Sequence, residues 1–125
     1  MEELTYLDFI TQLDHNRLNK LQSYSLPSDK YIDLTLGDSG LTYTAPANGY
    51  ILLNKNSGNT AKYIALSVTR NGIQVYNQIQ HSSFSGILSL TAPVAKGATT
   101  RVEYSATGTT NYFRFIYAQG SAPQT

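Results

Sequence analysis

No cysteine occurs in the 125 residues. That excludes a disulfide framework, a cysteine-ligated zinc finger and thiol chemistry. Charge is scarce too. Asp, Glu, Lys and Arg make up 14% of the chain, against roughly 25% in an average soluble domain. The formal net charge is only +1. A nucleic-acid groove or an anionic-membrane contact requires a basic surplus, and none is present. No apolar run is long enough to cross a bilayer. The opening Met1-Glu2-Glu3 has neither the basic region nor the apolar stretch of a secretory signal.

What is present divides at about residue 30. Residues 4–23 place Leu4, Leu7, Phe9, Ile10, Leu13, Leu18 and Leu21 mostly at three- and four-residue spacings, with no Gly or Pro between them. Thr5 with Asp8 fits a capping box with Asp in the Glu role. The pattern predicts an N-terminal helix over 1–23, serving oligomerisation or attachment. Its core heptad positions include Asp14 and Arg17, so a regular coiled coil is not predicted. Residues 24–30 read as a linker, because Pro27 disfavours helix in the residue before it.

From residue 31 the period becomes two. Ile32, Leu34 and Leu36 alternate with Tyr31, Asp33 and Thr35, predicting one buried and one wet face. Further strands are expected at 41–44, 50–55, 63–69, 73–79, 84–90, 99–104 and 112–118. Tyr43-Thr-Ala-Pro-Ala-Asn-Gly-Tyr50 reads as strand, turn and strand. Pro46 ends the first, and Asn48-Gly49 is expected to turn the chain through positive φ. Asn71-Gly72 between two alternating runs predicts a type I′ hairpin. Ala92 to Gly97 reads as a long turn and 119–125 as a flexible tail. Short strands bounded by turn residues predict an all-β domain over 31–118, a jelly-roll-like antiparallel β-sandwich.

If each strand crosses the sandwich once, its connections alternate between two ends. Loops 37–40, 54–61, 80–83 and 105–111 then share one end. Loops 45–49, 70–72 and 92–98 share the other with the incoming linker and the C-terminus. The first set offers Asp38, Asn56, Asn59, Gln80, His81, Ser82, Thr107, Thr109 and Asn111 as polar contact residues.

No catalytic constellation is apparent. Of eight acidic residues only Glu103 lies beyond position 38, whereas glycoside hydrolysis usually needs a carboxylate pair. His15 and His81 are far apart in sequence, and no nucleophile elbow accompanies either. No metal or cofactor is expected. The nine basic residues are scattered, which disfavours nucleic acid. Arg114, between Phe113 and Phe115, is expected to face away from them. Ten tyrosines combine apolar area with a polar tip, suiting interfaces and sugar stacking; Tyr50 and Tyr104 are expected in the core.

Leu26-Pro-Ser-Asp-Lys-Tyr-Ile-Asp-Leu-Thr-Leu-Gly37, Thr42-Tyr-Thr-Ala-Pro-Ala-Asn-Gly-Tyr50, Leu90-Thr-Ala-Pro-Val-Ala-Lys-Gly97 and Phe113-Arg-Phe-Ile116 together resemble the C-terminal domains of bacteriophage and prophage tail-fibre proteins. The resemblance implies a homotrimeric, non-enzymatic fibre tip in the virion that touches a bacterial surface glycan or protein. The nine loop residues would be its contacts, and the N-terminal helix would meet other tail proteins. The alternative is a trimerisation or capping domain of the tail without host contact.

Overall fold

The computed structural model describes residues 25–58, 61–82 and 85–123. The expected helix over 4–23 lies outside the described residues. Eight strands follow in order: β1 (Pro27–Asp33), β2 (Leu41–Thr44), β3 (Gly49–Asn56), β4 (Lys62–Arg70), β5 (Ile73–Ser82), β6 (Ile87–Val94), β7 (Thr99–Tyr104) and β8 (Thr110–Ala118). They form two four-stranded antiparallel sheets, ordered β1-β8-β3-β6 and β2-β7-β4-β5.

The core lies between the sheets. The first contributes Ile51, Leu53, Leu88, Leu90, Ala92, Phe113 and Phe115; the second contributes Ile64, Leu66, Val68 and Val102. Fully burying one such large side chain stabilises the fold by about 1.5–3 kcal/mol. Strict alternation in β3 and β6 is what a sheet with one covered face requires. Thr100 is also fully buried, and its Oγ1 has no hydrogen-bond partner.

Several elements depart from the sequence pattern. β1 begins at Pro27, inside the expected linker, and ends at Asp33. As an edge strand it tolerates a first residue without an N–H. Ile32 is exposed rather than inward, while Leu34 and Leu36 pack on the core from beyond the strand. The expected turn at 92–97 shrinks, because Ala92-Pro93-Val94 continues β6. β6 is the free edge of its sheet, so Pro93 removes no ladder bond there. Gly86 precedes that strand instead of bulging within it.

The two Asn-Gly pairs behave differently. Asn71 and Gly72 both take positive φ, 53° and 78°, as a type I′ hairpin requires. Asn48 and Gly49 do not. Gly49 is needed for a different reason. A Cβ there would lie 2.2 Å from the Ile116 carbonyl oxygen and 2.7 Å from the Phe115 ring. Asn48 instead ties its end of the sandwich together: its carbonyl accepts from Ala118 N–H and its Oδ1 from Lys96 N–H.

Edge strand β5 has its polarity reversed. Tyr76, Gln78 and Gln80 stand opposite the buried Val68, Leu66 and Ile64, and directly opposed residues share a face. These polar side chains reach across to β6. Gln80 Oε1 accepts from Ser89 N–H at 2.7 Å, and the Tyr76 hydroxyl lies 3.4 Å from the Thr91 carbonyl. Ile73, Val75 and Ile79 of the same strand are exposed. A bulge leaves Val75 without a partner in β4.

Candidate functional site

The loops group by end as alternation requires. Ser57, fully buried, laces three connections together. Its N–H donates to Gly86 O, its Oγ accepts from Gly86 N–H, and its carbonyl accepts from Thr107 N–H. Gly108 N–H donates to Asn56 O, and Asn56 N–H donates to Thr109 O. The 105–109 loop therefore sits against the end of β3. A Cβ on Gly108 would come within 2.6 Å of Asn56 Cβ and O, so this approach requires glycine. The loop after β1 meets the same end of β7: the Tyr104 hydroxyl donates to Gly37 O and Tyr104 N–H to Ser39 Oγ. At the opposite end, Gln119 N–H donates to Leu26 O, so the described chain enters and leaves there.

Lys55 fastens the 105–109 loop from beneath. Its side chain points into the sandwich and is only 7% exposed. Nζ donates to Gly108 O at 2.7 Å and to Thr110 Oγ1 at 3.0 Å, and lies 5.3 Å from the Tyr104 ring centroid. Burial pushes its pKa below the ordinary lysine value, because the charged form loses solvation.

Above this support lies a polar surface. Asn54 and Asn56 alternate on the outer side of β3. Asn111 Nδ2 donates to Asn54 Oδ1 at 2.8 Å and to Asn56 Oδ1 at 3.2 Å. Those two bonds do not use Asn111 Oδ1 or the Nδ2 groups of Asn54 and Asn56, an acceptor and two donors. A shallow depression of about 430 Å³ adjoins them, lined by Asn56, Gly58, Ser85, Gly86, Gly108 and Thr109 with Ile87 on its rim. Tyr112 pairs with Asn54 across the ladder and is 47% exposed. One neighbour holds its ring in place: the Arg114 guanidinium lies 4.6 Å from the Tyr112 centroid and 4.2 Å from that of Tyr31. Arg114 Nε also donates to Asp33 Oδ1 at 3.2 Å. Arg114 thus faces away from Phe113 and Phe115.

Of the expected contact residues, Asn56, Thr109 and Asn111 come together here, and Thr107 belongs to the loop that supports them. Asp38 lies in the loop after β1 beside β7, with no contact to the amide cluster. Gln80, His81 and Ser82 are not a loop. β5 runs through Ser82, pairing these residues with Ile64, Tyr63 and Lys62. Gln80 is spent on Ser89, and His81 stacks at a tilt on Tyr63 with ring centroids 5.9 Å apart. Asn59 lies outside the described residues. The sequence reading missed Asn54, Tyr112 and Tyr31. The two-residue spacing of Asn54 and Asn56 in a strand was the available signal. Tyr50, expected in the core, is only partly buried on the outer side, its hydroxyl donating to Ser25 O. Tyr104 does pack on the core.

The carboxylates are separated. Asp33 faces Arg114, and Glu103 accepts from Arg101 Nε at 2.7 Å on the other sheet. Among the described residues no three His, Cys, Asp or Glu side chains are grouped to hold a metal ion. A larger cavity of about 570 Å³ lies at the opposite end, among Ser25, Tyr50, Val68, Val75 and Val94. It is where the described chain enters, beside the Gln119 N–H bond to Leu26 O. Comparison with protein-family models, with curated proteins and with solved structures finds no match to this chain.

Proposed function

We propose that this chain is a non-enzymatic receptor-binding module that attaches to a bacterial-surface glycan, as the tip of a phage tail fibre. The carrying observation is the Asn54–Asn56–Asn111 amide cluster beside the exposed Tyr112 ring and the glycine-lined depression. Sugar hydroxyls need paired donors and acceptors at fixed spacing, and a sugar's apolar face needs an aromatic ring. Uncharged amides supply the first without the desolvation cost of ions. The strand order, β1-β8-β3-β6 over β2-β7-β4-β5, supports reading the sandwich as a jelly roll. The likeness of its turn motifs to tail-fibre tips supports the virion setting and the homotrimer. Three shallow sites used together would raise a weak single-site affinity through avidity. Residues 1–23 would join the module to other tail proteins, from the end opposite the amide cluster.

A glycan array probed with the whole chain, followed by adsorption to the bacterial cells that carry the positive glycan, tests this. Binding to a defined set of saccharides is expected. An array without signal, together with no adsorption to any cell tested, overturns it. The exposed Ile73, Val75 and Ile79 favour a second reading, a packing or capping domain of the tail. That reading predicts unchanged adsorption when the amide cluster is removed.

A further inference from the structure

The segments that build the amide site carry almost no charge. Residues 54–61, 83–89 and 105–113 contain a single charged residue, Lys55. That lysine points into the sandwich, with Nζ held by Gly108 O and Thr110 Oγ1. The residues lining the depression are all uncharged. Among the described residues the other cations lie away from the site, with one exception. Lys62, Arg70 and Arg101 belong to the other sheet. Lys96 sits with Asn48 at the opposite end, and Lys30 lies on the entry side of Tyr31 in β1. The exception is Arg114.

Arg114 stands beside Tyr112 on the outer face, since residues two apart in a strand share a face. Left alone, its guanidinium would offer a carboxylate or phosphate a planar fork of donors. It is not left alone. Its Nε donates to Asp33 Oδ1 at 3.2 Å, and the centroids of Tyr112 and Tyr31 lie 4.6 and 4.2 Å from it. The register puts these rings on opposite sides. Asp33 pairs with Arg114 and Tyr31 with Ile116, so Tyr31 meets the guanidinium from the entry side and Tyr112 from the tip side. The ion pair is neutral, and its exposed member is the carboxylate: the Asp33 side chain is 70% exposed against 23% for Arg114. An anion arriving beside Tyr112 therefore meets a like charge and no free cation. It would lose water without gaining an ion partner, which is costly. Uncharged hydroxyls bear no such cost, because amides can satisfy them.

We propose that the amide site takes an uncharged sugar and rejects acidic ones, and that Asp33 sets this preference by neutralising Arg114. The inference rests on the receptor-binding reading and names the ligand class of that site. Asp33 acts through Arg114 rather than by touching the sugar.

Calorimetric titration of a matched pair of saccharides into the whole chain tests it. One member is the strongest array saccharide; the other differs only in carrying carboxylate where its partner has CH2OH, or the reverse. The neutral member should bind wild type several-fold tighter, with an affinity that added NaCl leaves unchanged. In Asp33→Asn the released guanidinium should shift the preference several-fold toward the acidic member, whose binding should then weaken as NaCl rises. An exposed surface pair contributes little to folding, so the unfolding midpoint should hold. Tighter binding of the acidic member by wild type, or a preference unchanged in Asp33→Asn, overturns this inference and leaves the receptor-binding reading standing. An array without signal overturns both.

Discussion

Replacing Gly49 by alanine should damage the fold far more than its position at the start of a strand suggests. One methyl would be driven to 2.2 Å from the Ile116 carbonyl oxygen and to 2.7 and 2.9 Å from two Phe115 ring atoms. Neither neighbour can yield cheaply. The oxygen belongs to β8, which pairs with β3 along its length. Phe115 is fully buried, its ring centroid 5.0 Å from Tyr117 and 6.2 Å from Tyr43. Overpacking a core costs about 1–3 kcal/mol when side chains can adjust. Here backbone must move as well, so we expect about 3 kcal/mol or more. Urea unfolding followed by circular dichroism reads the loss as a lower midpoint at an unchanged slope. Gly72→Ala is the control. Nothing lies within 4 Å of a Cβ at Gly72, but φ is 78°, so about 1–2 kcal/mol of left-handed strain is its whole cost. If Gly49→Ala matched wild type, or cost less than Gly72→Ala, the close approach of β3 to Phe115 would be wrong.

Other outcomes follow from single contacts. Thr100→Val should stabilise the fold by about 1 kcal/mol in the same unfolding assay, because it removes a buried hydroxyl without a partner. Lys55→Met should destabilise it by about 1–3 kcal/mol, leaving Gly108 O and Thr110 Oγ1 without their donor. The same residue has a pH signature. With its pKa lowered by burial, the unfolded chain holds this proton to higher pH than the folded chain. Stability should therefore rise with pH between the folded value and 10.5 in wild type, relative to Lys55→Met. Gly108→Ala should lower glycan affinity more than stability, since it pushes the loop off Asn56.

How far the sequence could be read depended on the range of the controlling contact. The Asn71-Gly72 hairpin was legible because both residues answer to their own φ. The alternating run of β4 was legible because one face of it meets the core. Gly49 was misread as a turn residue because its constraint comes from Phe115, distant in sequence. The polar inner side of β5 had no local explanation either; its partner is the edge of β6 in the other sheet. Loop parity placed the right connections at one end, yet Gln80 to Ser82 continued as strand because β4 supplies partners back to Lys62. The amide cluster draws on β3 and β8, so no single stretch displays it. Asn56 and Asn111 were found as loop residues, and Asn54 and Tyr112 were not.

The central claim is that the amide cluster and Tyr112 bind sugar. Calorimetric titration of the strongest array saccharide into wild type, Asn111→Ala and Tyr112→Ala tests it most directly. The account predicts saturable binding by wild type, weakened about tenfold or more, ~1.4 kcal/mol, by each substitution, with unfolding midpoints little changed. Equal affinity in all three proteins would contradict it.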